Sequence, residues 1–193
     1  MKTVFLFFNV SFLTNQLLIA MPHMKDPFFS KSVIYICEHN INGAMGMIIN
    51  KQFNDPRLNT TIKGLLIDHE SLKALANDIY FGGPVLLEKG IVLHHGNYMS
   101  PDSIAISKSI SLASKQEVLG ELQQREDIPF KLMLGHAGWY QGQLEKEIEN
   151  GDWLMQATTA DFIFNVPPNQ MWNQATESLG LDLGPSFGLS GQA

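Results

Sequence analysis

Short apolar runs, each cut off by glycine, proline or asparagine, set the pattern of this chain. Residues 16–21 (QLLIAM) form one, stopped at Pro22; residues 32–39 (SVIYICEH) form a second, dense in Val, Ile and Tyr; residues 44–50 (AMGMIIN) form a third. Runs this short and this rich in β-branched residues predict buried strands. Asn40-Ile41-Asn42-Gly43 stands between the second and third, and Asn-Gly in that setting predicts a β-hairpin. Gly46 inside the returning strand predicts a bulge or a close backbone contact. Residues 78–81 read as a strand ending at Gly82-Gly83-Pro84. Residues 85–89 read as one helical turn or a tight loop, and residues 91–94 as the strand that follows Gly90. Residues 103–112 alternate as a single strand, and residues 129–134 as another that runs into the corner 135–139 (GHAGW). Residues 153–157 and the apolar run 162–166 add two further strands.

Helical periodicity is confined to isolated stretches. Thr60 or Thr61 can cap a helix carrying Ile62, Leu65, Leu66 and His69, and Ser114 one carrying Val118, Leu119 and Leu122. Residues 141–150 place Leu144 and Ile148 inward, with Gly151 as a left-handed cap. Pro167-Pro168 open a last helix bearing Met171, Trp172, Ala175 and Leu179, closed by Gly180. Hairpins interleaved with lone helices predict an α+β fold, not a doubly wound parallel sheet. With no repeat, linker or charge block to divide them, residues 16–193 read as a single domain, and residues 1–15 as an N-terminal extension. Met1-Lys2 before an apolar stretch imitates a signal peptide, but no small-x-small cleavage site follows. Asn9, Ser11, Thr14, Asn15 and Gln16 make the region too polar for a membrane span. The expectation is a leader strand or a start codon assigned too far upstream.

Composition narrows the function. At 193 residues and 45% hydrophobic content the chain builds a core without a metal or disulfide staple. Its one cysteine, Cys37, excludes a disulfide scaffold and any cysteine-based zinc or iron–sulfur site within a chain. A lone free thiol suits the cytoplasm. A net charge of −6 and scattered basic residues, with no basic recognition helix, argue against direct nucleic-acid binding.

No phosphate loop, dinucleotide fingerprint, zinc-protease helix or serine elbow is present, so no catalytic residue is assigned. Three constellations remain. Gly82, Gly83 and Pro84, with His94 after the next strand, can turn backbone amides onto an anion or simply reverse the chain. Gly135, His136 and Gly138 form a strand–loop–helix corner where an anion can meet a helix N-terminus, with His136 as proton donor. Packing explains it more readily, with glycines for a sharp corner and Trp139 as a plug. Cys37 and His39, two apart on a strand, make either a thiolate–imidazole couple or an inert hydrophobe beside a polar neighbour. His94 and His95 point to opposite faces and no other histidine pair has ligand spacing, so neither a metal nor a cofactor is expected.

The stretches 17–22, 26–29, 37–50 (CEHNINGAMGMIIN), 81–84, 90–94, 135–139 and 142–148 together resemble the AlgH/YqgE family of conserved bacterial proteins. The match runs from about residue 16 to the C-terminus. Family members commonly end in Gly-His-Ala, where this chain has Gly191-Gln192-Ala193, and carry Tyr at the position of His136. The resemblance implies a cytosolic α+β domain whose bent, mostly antiparallel sheet forms a pseudo-barrel flanked by helices. It also implies a regulatory label connected with exopolysaccharide production. The functional expectation is a non-enzymatic protein acting through a protein partner or a small anionic ligand, in regulation of gene expression or of exopolysaccharide. The alternative is a hydrolase- or transferase-type enzyme with Gly82-Gly83 as anion cradle and His94 or His136 as acid–base. Whether the two glycine corners share a cleft discriminates between them.

Overall fold

The computed structural model describes residues 12–58, 60–61, 79–98 and 100–180. Along the chain these contain β1 (Gln16–Ala20), β2 (Val33–Asn40), β3 (Gly43–Ile48), β4 (Ile79–Phe81), β5 (Val85–His95), β6 (Ser103–Ala105) and β7 (Ile110–Ala113). Helix α1 (Gln116–Leu122), β8 (Phe130–Tyr140), α2 (Gln143–Glu149), β9 (Trp153–Ala157), α3 (Ala160–Asn165) and α4 (Pro168–Ser178) follow. The strands form one curled half-barrel in the order β6-β7-β5-β8-β3-β2-β1-β9, with β4 also against β8. Only β4–β8 is parallel among these pairings. The fold is α+β, as the interleaving of hairpins and helices predicts.

Burial on both sheet faces explains the near-continuous apolar runs. Leu18, Ala20, Ile34, Ile36 and Ile48 point into one core cluster, which Val118 and Leu122 of α1 and Leu144 of α2 complete. Their neighbours Leu17, Ile19, Val33, Tyr35 and Met47 point into a second, closed by Ile163 of α3 and by Met171, Trp172 and Ala175 of α4. Strand β8 is common to both parts of the sheet. Leu132–Leu134 pair with β4 and Phe130–Leu134 with β5, whereas Ala137–Tyr140 pair with β3.

Several expectations change. Residues 135–139 are not a loop leading into a helix: they are the interior of β8, and α2 starts only after Gly142, whose φ of 73° makes the turn. Residues 85–89 are neither helix nor tight loop. They belong to β5, whose register against β8 is irregular between Val85 and Gly90, with Leu86 at φ 52°. The single strand expected over 103–112 is a β6–β7 hairpin, because the amides of Ile106 and Ser107 both fold back onto the Ile110 carbonyl. The run 162–166 lies mostly in helix α3, whose first turn is capped where the Thr159 hydroxyl accepts from the Phe162 amide. Helix α1 is preceded by Lys115 without a side-chain cap, so Ser114 does not serve. Gly46 makes the expected close backbone contact, an added Cβ meeting the Tyr35 carbonyl oxygen at 3.0 Å as well as Ile34 Cγ2 at 2.7 Å, while the bulge falls on its partner strand at Cys37. The helix expected over 60–69 lies outside the described residues beyond Thr61. Of residues 1–15, the described part packs onto β2: Leu13 is buried and the Asn15 amide donates to the Ile36 carbonyl. No helix among the described residues is long and apolar enough to cross a membrane.

Candidate functional site

The two glycine corners meet backbone to backbone. A Cβ on Gly82 would lie 2.2 Å from the Gly135 carbonyl oxygen, and one on Gly83 would lie 2.3 Å from the carbonyl carbon of His136. Gly83 and Gly135 also have φ of +149° and +68°, a region that favours glycine. The Gly82 amide donates to the Leu134 carbonyl at 2.8 Å, and the Gly82 carbonyl accepts from Ile48 at 2.8 Å. Both backbone polar groups of Gly82 are therefore spent on the sheet, and the backbones cross too closely for an anion to sit between them. Half-buried Pro84 leads directly into β5, and half-buried His136 stands opposite Val85, burial holding its pKa below the usual histidine range.

His94 sits elsewhere. It pairs with Phe130, four positions along β5 from the Gly90–Leu134 pair, and is fully buried. Its Nδ1 faces the His95 carbonyl at 3.0 Å and its Nε2 the Ser103 hydroxyl at 2.9 Å. A carbonyl only accepts, so Nδ1 carries the proton and Nε2 accepts from Ser103. Burial pushes the imidazole pKa down. The bulge at Cys37 separates it from His39. Cys37 is buried in the Tyr35 cluster with its thiol pKa raised by burial, whereas His39 Nδ1 accepts from the Leu13 amide and Nε2 bonds Glu145 at 2.9 Å. Among the described residues no three His, Cys, Asp or Glu side chains gather as a metal site.

The fold instead assembles a cleft of about 450 Å³ from basic residues that are scattered in sequence. Among the described residues, Lys31, Lys51 and Arg57 line it against one carboxylate, Asp55, together with Ser30, Asn50, Asn169, Asn173 and Trp172. The loop before β2 builds one wall. Asp26 Oδ1 accepts from the amides of Phe28 (2.8 Å) and Phe29 (3.0 Å), and Lys31 closes the turn at φ 52°. Asn50 clamps that loop to the sheet, accepting from the Val33 amide and donating to the Lys31 carbonyl. Lys51 Nζ donates to the Phe28 carbonyl at 2.7 Å, and burial lowers its pKa to about 8 against the opposing pull of Asp26. Arg57 is held by both oxygens of Asp55, at 3.0 and 2.7 Å, which keeps it firmly charged. Lys31 Nζ lies 5.5 Å from the Trp172 ring centre, and Trp172 Nε1 is anchored on the Ala20 carbonyl. Pro168 and Asn169, in the first turn of α4, bring the positive end of that helix to the same cleft. Three basic side chains of an acidic chain thus meet at one cleft, Arg57 paired with Asp55. Sequence separation hid this convergence.

Gly138 faces a second cavity, of about 300 Å³, lined by Trp139, Trp153, Phe29, Gln143 and Glu147 among others. A Cβ at Gly138 would meet nothing within 4 Å.

Comparison with known proteins agrees with this architecture. A family model described as AlgH-like matches residues 17–184. A UPF0301 protein of Thioalkalivibrio sulfidiphilus is 40% identical over 181 residues, covering 93% of this chain and 96% of its own. One from Shewanella loihica is 40% identical over 183 residues, covering 94% and 97%. The solution structure of AlgH from Pseudomonas aeruginosa superposes with a TM-score of 0.68 at 32% identity, covering 100% of both chains. A Corynebacterium diphtheriae protein of the same fold gives a TM-score of 0.64 at 20% identity over 86% of each chain. Fold, motif order and extent of match agree: the chain belongs to the AlgH-like family.

Proposed function

We propose that the protein is a cytoplasmic, non-enzymatic binding protein whose basic cleft takes a small anionic ligand and signals its occupancy to a protein partner. Convergence of Lys31, Lys51 and Arg57 on one cleft carries the reading. Such a cleft favours a phosphate or carboxylate group, since charge-assisted bonds to Lys and Arg are the strong ones. The regulatory role follows from the family resemblance, and the free, buried Cys37 is in keeping with a reducing compartment. Calorimetric titration with inorganic phosphate, pyrophosphate and citrate tests it. Saturable binding that weakens with salt, and about tenfold in Arg57→Ala, supports the cleft. No heat with any of the three anions, or equal binding by Arg57→Ala, overturns it.

One contact favours an enzymatic second reading. Ser103 and His94 form a hydroxyl–imidazole couple with the base oriented by a carbonyl, the arrangement that activates a serine. In this reading a fluorophosphonate probe bonds to Ser103 Oγ through phosphorus, fluoride leaves, and the hydroxyl proton passes to His94 Nε2. Labelling that disappears in Ser103→Ala supports it, and an unlabelled native protein rejects it.

A further inference from the structure

The cavity beside Gly138 has the opposite chemistry to the basic cleft. Trp139 and Trp153 stand 6.1 Å apart between ring centres with planes at 81°, and Phe29 sets its ring at 80° to Trp153, 5.9 Å away. Glu147 Oε2 accepts both indole N–H groups at 2.8 Å, while its Oε1 accepts from Gln143 at 2.8 Å. One carboxylate therefore fixes both indoles, and among the described residues its bonds go to neutral donors only. Asp26 and Asp152 also line the cavity, and among the described residues no Lys or Arg does. The same loop that gives Pro27, Ser30 and Lys31 to the basic cleft gives Met24, Asp26 and Phe29 to this one.

We propose that this cavity is a binding site for an organic cation of the alkylammonium class. Aromatic walls attract such a group through their π faces and cover its methylenes or methyls. A carboxylate held by neutral donors supplies the balancing charge at a fixed place. A bare divalent metal does not fit, because the carboxylates do not gather into a ligand set. Gly138 lines the cavity next to Trp139 and carries no side chain to fill it. Three stretches distant in sequence (26–29, 138–139 and 143–147) meet here, all among those that carry the family resemblance. The site does not depend on the anion reading.

The ammonium group belongs either to a free amine or to a lysine side chain of a partner, and the test separates them. The indole N–H resonances of the full-length protein are followed by NMR, assigned through Trp→Phe variants. Titrants are tetramethylammonium, butylammonium, an Nα-acetyl-lysine amide, and tert-butanol as a neutral match. The expected result is a saturable shift of the Trp139 and Trp153 signals with at least one cation and none with tert-butanol. Glu147→Gln keeps an acceptor for the indoles but drops the charge, and is expected to bind about tenfold more weakly. Tetramethylammonium or butylammonium as the best titrant indicates a free amine; the lysine derivative indicates a partner side chain. No saturable shift with any cation, an equal shift with tert-butanol, or undiminished binding by a folded Glu147→Gln overturns the proposal. Should that variant fail to fold, the comparison with tert-butanol on the wild type still decides.

Discussion

Alanine at Gly83 tests whether the glycine corners are a backbone crossing. Its Cβ would lie 2.3 Å from the His136 carbonyl carbon and 2.4 Å from the Ala137 nitrogen. Both are main-chain atoms of β8, tied to β5 on one side and to β3 on the other, so they cannot give way cheaply. Overpacking of this kind costs about 1–3 kcal/mol, and holding an L-residue at φ +149° adds about 1–3 kcal/mol. The combined loss is about 4 kcal/mol, a large share of the roughly 5–15 kcal/mol that holds a domain folded. Gly138→Ala is the control: it lies in the same strand, meets nothing within 4 Å, and has no positive φ. It is expected to stay within about 1 kcal/mol of wild type. Urea unfolding followed by far-UV circular dichroism reads the difference as a midpoint about 2 M lower for Gly83→Ala, at an unchanged slope. A Gly83→Ala midpoint close to wild type, or an equal loss in Gly138→Ala, refutes the crossing.

Lys131 is 4% exposed, with its Nζ 2.8 Å from the Tyr80 hydroxyl, and burial lowers its pKa from 10.5 to about 8. Below pH 8 both folded and unfolded chains hold the proton and the native state bears the full cost, about 3 kcal/mol; between pH 8 and 10.5 the unfolded chain binds more protons, so stability rises with pH. Urea midpoints should therefore climb across that window, less steeply in Lys131→Met. The residual slope is that of Lys51, lowered to about 8 as well, reduced above about pH 9 by Cys37, whose raised thiol pKa pulls the other way. A flat wild-type profile would contradict the burial of both amines. Cys37, buried with a raised thiol pKa, should stay silent to Ellman's reagent in the native protein and react fully in urea; fast native labelling would show an open strand. Thr159→Ala removes the hydroxyl that caps α3 at 3.2 Å and should cost about 1 kcal/mol, with Thr159→Ser restoring most of it; thermal melts report both.

The first three strands were legible because their apolar runs are short, β-branched and divided by an Asn-Gly turn, and two-sided burial accounts for their lack of alternation. The last helix was legible from Pro167-Pro168 and the spacing of Met171, Trp172 and Ala175. Glycine misled the reading at 135–139. A glycine that lets the chain bend and one that lets another backbone approach look alike until the crossing segment, here Gly82-Gly83, is known. The run 162–166 was too short for its helical period to show, and Thr159 was the overlooked signal. Lys31, Lys51 and Arg57 carry no local mark of convergence, since the clamp by Asn50 and the docking of α4 bring them together. Glu147 belongs to a helix whose acids read as a solvated face, and nothing in the spacing shows that both indoles end on its carboxylate.

Strand β8 belongs to both parts of the sheet, and this fixes how the protein can come apart. Neither part has a finished edge without it, so a polypeptide cut on either side of β8 leaves one piece with unpaired amides and carbonyls along its border. Losing β8 exposes β3, β4 and β5 together. Opening at the outer strands β6 and β9 costs one strand pairing each, whereas opening at β8 costs three at once.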